Sequence, residues 1–209
     1  MDGRQLIYFT DPMCSWCYGF SPVIDEVAAR YADRLPIRLV MGGLRPGNTK
    51  PMTREAAQDL RGHWTHVTEA SGQDFGACAI DAGGFVYDTD PAARAVALAR
   101  RTGTALALDY LREAHKAFYV RGLDITNPEV LADLAAELGM DRTAFRAGLD
   151  DPALKEEAWS DYSTSQNAGV SGFPTLILGP NPDGTYAMVT RGFNSLENIL
   201  ETIERRLAA

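Results

Sequence analysis

The first forty residues alternate between apolar runs and a helical pattern. Residues 5–10 (QLIYFT) are mostly β-branched or aromatic, which predicts a buried strand. A helix is predicted from about residue 14 to about residue 33, because its apolar positions recur at helical spacing. Residues 36–41 (PIRLVM) predict a second strand, which Gly42-Gly43 ends. Strand, helix and strand in this order indicate a βαβ unit.

The middle of the chain has mainly helical patterns. Three helix starts share one feature, an Asp or Asn that precedes proline: Asp90-Pro91, Asn127-Pro128 and Asp151-Pro152. The polar side chain can cap the helix while proline takes the first helical position. Two of these helices should end at Gly103 and Gly139. Further helices are predicted over residues 53–70 and 104–120.

Sheet character returns near the C-terminal end. Residues 174–178 (PTLIL) predict a strand, and residues 179–184 (GPNPDG) form a turn cluster. Residues 185–190 (TYAMVT) should pair back as a hairpin strand. Ser195 should cap a last helix that continues to Leu207.

This order of elements predicts an α/β fold split by a large all-helical insertion. Residues 1–42 and 170–209 would form one discontinuous α/β domain, and residues 43–169 would form the insertion. A connection this long must fold as a packed unit of its own.

Composition and charge narrow the class of protein. The chain has 209 residues, of which 45% are hydrophobic and 23% charged, as is typical of a globular protein. Its net charge is −8 and it has no Lys/Arg block, so we expect no nucleic-acid partner. No apolar run approaches the roughly 20 residues that span a membrane. The N-terminal residues lack the features of a secretory signal, which predicts a cytoplasmic location.

The candidate chemistry lies in Cys14-Ser15-Trp16-Cys17, at the junction of the first strand and the first helix. A thiolate at a helix N-terminus is favoured by unpaired N–H groups and by the helix dipole. Cys14 should therefore be the nucleophile, and Cys17, about one turn later, should resolve the mixed disulfide. This pair needs no cofactor for exchange. Trp16 should be partly exposed and shape the substrate surface.

A second part of the site is predicted at Phe173-Pro174, where proline opens a strand. An X–Pro bond can be cis at modest cost, and we predict a cis bond here. It would turn the backbone toward the thiols and leave the polar groups of Phe173 free. An extended substrate could then pair with them as an added strand.

These features resemble a known family. Strand–Cys14-Ser15-Trp16-Cys17–helix, the helical middle and Gly172-Phe173-Pro174-Thr175 resemble the DsbA-like branch of the thioredoxin superfamily over nearly the whole chain. Within that branch the chain is similar to cytosolic FrnE-like oxidoreductases. The resemblance implies a thioredoxin-like fold, a nucleophilic Cys14, a resolving Cys17 and a cis Pro174. It also implies a disulfide reductase or isomerase whose partners are a thiol or disulfide substrate and a recycling reductant or oxidant.

Two alternatives stay open from the sequence. Relatives in the same branch are glutathione-dependent transferases or isomerases, so glutathione is a possible substrate. A zinc-stabilised binding module is the other alternative, with His63, His66 and Cys78 as candidate ligands beside Cys14 and Cys17.

Other polar residues have more ordinary interpretations. We expect Cys78 to be a packed thiol and His115 to be a surface or packing residue. Asp25 should be exposed, because buried carboxylates are rare without a partner.

Overall fold

The computed structural model describes residues 3–208 and contains a four-stranded mixed sheet. The strands are β1 (Gln5–Thr10), β2 (Ile37–Met41), β3 (Thr175–Gly179) and β4 (Ala187–Arg191), in the order β2-β1-β3-β4. Strand β1 is parallel to β2 and antiparallel to β3, and β3 is antiparallel to β4. The mixed α/β class predicted from the sequence is confirmed.

Most of the helices lie between β2 and β3 in the chain. The helices are α1 (Ser15–Tyr31), α2 (Arg54–Ser71), α3 (Asp90–Arg100), α4 (Thr104–Tyr119), α5 (Pro128–Glu137), α6 (Arg142–Gly148), α7 (Pro152–Asn167) and α8 (Leu196–Leu207). A short 3-10 helix covers Ala79–Ala82. The sequence patterns predicted all of these except α6 and the 3-10 helix. None of the helices in the described part of the chain is long and apolar enough to cross a membrane.

Hydrogen bonds at the helix starts confirm the predicted caps of α5, α7 and α8 but not the predicted cap of α3. Asn127 and Asp151 cap α5 and α7 through their side chains, as predicted, and Ser195 caps α8. Asp90 does not cap α3. It lies in the first turn, where its carboxylate pairs with Arg94 at 3.0 Å, one helical turn later.

Two predicted boundaries were wrong for local reasons. Helix α3 ends at Arg100, and Gly103 instead occupies the position before α4. Strand β4 begins at Ala187, two residues later than predicted, because Thr185 is part of the turn. Its amide donates to the Asp183 carboxylate at 3.0 Å, and its carbonyl accepts from the Asn181 amide at 2.8 Å.

Hydrophobic side chains pack on both faces of the sheet, and the candidate site lies where the inner strand β1 ends and the inner strand β3 begins. Leu6 and Tyr8 of β1 belong to the main core, whereas Ile7 and Phe9 point into a smaller cluster on the other face. The main core contains residues from both segments of the predicted α/β domain and from the predicted insertion. The domain division itself stays a prediction, and Met1, Asp2 and Ala209, at its outer limits, lie outside the described residues.

Candidate active site

Cys14 lies at the N-cap of α1, where β1 has ended and the first helical turn begins. Its amide donates to the Asp11 carbonyl at 3.1 Å, which closes the turn between strand and helix. The cysteine is 7% exposed, and its thiol donates to the Phe173 carbonyl at 3.6 Å. The three cysteines are free thiols. Cys14 is therefore a reduced, slightly exposed thiol that faces the start of β3.

Cys17 lies behind Cys14, inside the first turn of α1. It is 0% exposed. Burial raises the pKa of its thiol well above the ordinary value, and a hydrogen bond with Cys14 and the Cys14 charge act in the same direction. Cys17 therefore holds its proton strongly while Cys14 is free, and the two thiols differ in access as the sequence predicted.

The loop that leads into β3 completes this part of the site. The Phe173–Pro174 peptide bond is cis, as predicted, and Pro174 is buried. The Pro174 carbonyl accepts from the Gly192 amide at 2.7 Å, which ties the loop to the end of β4. One expectation needs correction, because the Phe173 carbonyl is not free in this structure. It accepts the Cys14 thiol.

Glycine at position 42 is what lets Phe173 lie where it does. A Cβ atom on Gly42 would be 2.1 Å from Cζ of the Phe173 ring, which is far inside van der Waals contact. The ring also packs against the smaller hydrophobic cluster behind the sheet. Gly42 therefore permits the close packing of Phe173, the residue whose carbonyl accepts the Cys14 thiol, and the sequence had indicated only that this glycine ends β2.

Trp16 is half-buried at the mouth of the site, as expected. Its indole Nε1 donates to Nε2 of His63 on α2 at 3.2 Å, and its ring centroid lies 5.9 Å from that of Phe193. His63, which the sequence offered only as a candidate zinc ligand, thus contacts the dipeptide between the cysteines. A local sequence pattern could not show this contact, because Trp16 and His63 are 47 positions apart in the chain.

Asp11 is a buried carboxylate directly under the Cys14 turn. Its two oxygens accept from the Met13 amide at 3.0 Å and from the Leu44 amide at 2.8 Å. Complete burial outweighs these bonds and raises the pKa of Asp11 from 3.8 to about 6. The sequence patterns gave no role to Asp11. An aspartate three residues before the first cysteine was the available signal.

The sequence left His115 as either a surface residue or a packing residue. It is buried, so it is a packing residue. On α4, its Nδ1 lies 3.1 Å from the Ser21 hydroxyl, and its Nε2 lies 3.3 Å from the Asp11 carbonyl. Because a carbonyl can only accept, Nε2 carries the proton in the neutral ring. Burial lowers the pKa of His115 to about 4, so the neutral ring prevails near pH 7.

Two hydroxyls under Cys17 are also buried. Tyr8 Oη and Thr10 Oγ1 make no hydrogen bond of ordinary geometry within the described part of the chain. Thr10 is nevertheless close enough to lower the pKa of both Tyr8 and Cys17, although burial is the larger effect and raises both. Tyr8 and Thr10 are two positions apart on β1 and therefore lie on the same face of the sheet, where Tyr8 packs against Phe20 of α1.

The remaining candidates lie apart from the thiol pair. Cys78 is a packed thiol, 5% exposed, and burial raises its pKa to about 11. Asp25 is half-buried rather than exposed, and it pairs with Arg112 at 3.1 Å. Residues 3–208 contain no group of three or more His, Cys, Asp or Glu side chains arranged to hold a metal ion.

A comparison with protein families agrees with this architecture. Residues 5–204 match the DsbA-like thioredoxin domain, which is nearly the whole chain. The chain belongs to the DsbA-like thioredoxin family. Family membership accounts for the fold and for the order strand, Cys14 turn, helical segment and Pro174 loop, and it confirms the resemblance seen in the sequence.

Solved structures of this DsbA-like family superpose on the chain over almost its full length. A protein from Nitrosomonas europaea, provisionally identified as a protein disulfide isomerase, has a TM-score of 0.89 and 28% identity and covers 98% of both chains. The cytosolic disulfide reductase DsbM from Pseudomonas aeruginosa has a TM-score of 0.77 and 27% identity, again over 98% of both chains. DsbM has also been solved with GSH.

Curated relatives of this DsbA-like chain are more distant in sequence. The ClpXP adapter protein SpxH of Halalkalibacterium halodurans is 22% identical over 184 residues, which cover 83% of this chain. The chain spans 58% of the length of that relative.

Proposed function

We propose that the chain is a thiol–disulfide oxidoreductase that works through Cys14 and Cys17. One observation carries the proposal: a slightly exposed thiol at a helix start faces a backbone carbonyl, and a second, fully buried thiol lies in the first turn behind it. This arrangement suits disulfide exchange, because it offers one sulfur to a substrate and keeps the other for the second step.

Exchange proceeds in two balanced steps. The Cys14 thiolate attacks one sulfur of a substrate disulfide, so that a Cys14–substrate disulfide forms and the other substrate sulfur leaves as a thiolate. Cys17 then loses its proton and attacks Cys14 Sγ, which releases the second substrate sulfur. The departing sulfur takes up a proton in place of the one that Cys17 gave up. The substrate is reduced by two electrons, and Cys14 and Cys17 are oxidised to a disulfide.

Access and protonation assign the two roles. Cys17 is 0% exposed, so a protein disulfide cannot reach it. Its raised pKa also keeps it a thiol until Cys14 is consumed in the mixed disulfide. Cys14 is therefore the attacking sulfur, and Cys17 is the resolving sulfur.

The substrate backbone binds beside Cys14 at Trp16, Phe173 and Pro174. When Cys14 loses its proton, the Phe173 carbonyl loses the thiol that donated to it. That carbonyl can then accept an N–H from an extended substrate, as in strand addition. Trp16, held by His63, forms the opposite wall.

The substrate is a disulfide in a protein or a small molecule, and a thiol such as glutathione returns the oxidised pair to its reduced form. The likeness to DsbM, which has been solved with GSH, supports glutathione in this role. The same likeness to a cytosolic reductase supports a cytoplasmic location. Cys14 and Cys17 then carry the two electrons themselves, and no further cofactor takes part.

Insulin reduction with glutathione as the reductant tests the proposal. Cys14→Ser should abolish turnover, and Cys17→Ser should accumulate a mixed disulfide, seen by mass spectrometry as added substrate mass. Cys78→Ser is the matched control, because Cys78 is also a buried thiol but lies outside the pair. It should keep turnover. Full activity in Cys14→Ser would refute the proposal.

Two further assays separate the alternatives. Retained conjugation of glutathione to an electrophile by Cys14→Ser would favour a glutathione-dependent transferase or isomerase. One tightly bound zinc ion per reduced chain would favour a zinc-stabilised module.

A further inference from the structure

The carbonyl oxygen of Met13, one residue before Cys14, accepts two tyrosine hydroxyls. Tyr119 donates to it at 2.6 Å, and Tyr87 also donates to it. The two hydroxyl oxygens are 3.4 Å apart. Met13, Tyr87 and Tyr119 are all buried, so neither bond competes with water. Two neutral donors on one carbonyl saturate its hydrogen-bonding capacity.

Both tyrosines come from the helical stretch between β2 and β3. Tyr119 is the last residue of α4, and Tyr87 lies shortly before α3. Their rings are fixed by aromatic neighbours. Tyr119 stacks on Tyr18 of α1 with 5.2 Å between centroids, and Tyr87 packs edge-on against Phe118 at 5.7 Å. The helical stretch therefore reaches the cysteine turn with two preorganised donors.

The protonation state of both phenols suits this role. Burial raises the pKa of Tyr119 and of Tyr87 well above the ordinary value, and the charge of Cys14 adds to the effect on each. Both groups therefore remain O–H donors at any pH where the protein works. Their sensitivity to the Cys14 charge also places them within electrostatic reach of its sulfur.

We propose that Tyr87 and Tyr119 are positioning residues that favour the Cys14 thiolate by neutralising and orienting the Met13 carbonyl. That carbonyl belongs to the peptide unit that leads directly into Cys14, so its oxygen is a nearby partial negative charge. Two O–H dipoles pointed at the oxygen weaken its field at the sulfur and hold the peptide plane in place. The inference rests on the proposed function of Cys14.

Alkylation of Cys14 tests the inference without any turnover. In a Cys17→Ser, Cys78→Ser background only Cys14 can react with iodoacetamide. Tyr119→Phe and Tyr87→Phe each remove one oxygen atom and keep the ring. Each should slow alkylation at pH 7 about twofold to fivefold, because the Met13 carbonyl loses one donor and its partial negative charge then disfavours the thiolate more strongly. The pH profile of alkylation should also move to higher pH.

Tyr110→Phe is the matched control. Tyr110 is a buried tyrosine of the same helix α4, and its hydroxyl donates to the Leu131 carbonyl at 2.8 Å, away from the thiols. Loss of the Tyr110 hydroxyl should lower the melting temperature about as much as Tyr119→Phe does. It should leave the rate of Cys14 alkylation and its pH profile unchanged. Equal slowing in Tyr110→Phe, or unchanged rates in both Tyr119→Phe and Tyr87→Phe, would overturn the inference.

The outcomes also separate this inference from the proposed function. If the wild-type protein fails to reduce insulin but Tyr119→Phe still slows alkylation of Cys14, the oxidoreductase function is refuted and the positioning role is kept. An active wild-type protein whose Tyr119→Phe and Tyr87→Phe variants alkylate normally would refute the positioning role alone.

Discussion

Trp16 and His63 form a hydrogen bond of 3.2 Å between the indole Nε1 and the imidazole Nε2. The bond joins one of the two residues between the cysteines to helix α2, so that the site wall is built from two distant parts of the chain. For this bond to exist, His63 Nε2 must be unprotonated, because only then can it accept. The bond is exposed, so its main effect should be on the orientation of Trp16 rather than on stability.

Replacing His63 with Leu should free the Trp16 indole. We expect KM for a disulfide peptide to rise about twofold to fivefold with little change in kcat, because a lost hydrogen bond of about 0.5–1 kcal/mol weakens only substrate positioning. The free energy of unfolding should change by less than about 0.5 kcal/mol. Steady-state kinetics and urea unfolding measure both quantities.

His66→Leu is the control for this variant. His66 is three residues further along α2, is exposed and lies 3.6 Å from Glu69. His66→Leu should leave KM unchanged. An equal rise of KM in both variants would mean that the bond between Trp16 and His63 has no role in substrate binding.

The buried Asp11 carboxyl should make the protein less stable as pH rises from about 4 to about 6. Its pKa in the folded chain is about 6, against an ordinary value of 3.8, so the folded state binds the proton more tightly. The stabilisation is full below pH 3.8 and is lost as pH rises through 6, by about 3 kcal/mol in total. Asp11→Asn should remove this downward trend. Urea unfolding at several pH values measures it.

His115 should have the opposite effect in nearly the same pH range. Its pKa is lowered from 6.5 to about 4, so the unfolded chain binds the proton more tightly. The stabilisation is full above pH 6.5 and is lost as pH falls through 4, again by about 3 kcal/mol. His115→Gln keeps a donor and an acceptor but does not titrate, so its stability should fall as pH rises from 4 to 6.

The two trends oppose each other because burial disfavours the charged form of each group, which is the carboxylate of Asp11 and the imidazolium of His115. Wild-type stability should therefore change less between pH 4 and pH 6 than that of either variant. Parallel pH profiles for the wild type, Asp11→Asn and His115→Gln would contradict both assignments.

Replacing Gly42 with Ala should disturb the site through Phe173. The added Cβ would be 2.1 Å from the Phe173 ring, so the ring must move and should disturb the carbonyl of the same residue, which accepts the Cys14 thiol. We expect a loss of about 1–3 kcal/mol in the free energy of unfolding, typical of overpacking, and a lower rate of insulin reduction. Thermal unfolding and the insulin assay measure these effects.

Gly62→Ala is the matched substitution. Gly62 lies inside α2, and a Cβ there meets nothing within 4 Å. Alanine should stabilise the helix by about 1 kcal/mol and leave the rate unchanged. If Gly42→Ala behaved like Gly62→Ala, the contact with Phe173 would not constrain the site.

Local patterns predicted most of the secondary structure. The caps at Asn127, Asp151 and Ser195 were predictable because a capping side chain bonds to backbone only two or three residues away. Helix α6 was missed because it is a single short element, Arg142–Gly148, with one buried residue, Phe145. Its stability comes from packing that a local pattern does not contain.

The sequence alone determined the α/β fold, the family, and the placement of Cys14 and Cys17 across the first turn of a helix. These follow from strand and helix periods and from a motif four residues long. Their catalytic roles remain predictions. Only the tertiary structure decided which groups surround the thiols: Tyr119, His115 and His63 come from helices far along the chain. Such contacts depend on how helices pack against the sheet, and burial, which sets the pKa of Asp11 and of Cys17, exists only once that packing has formed.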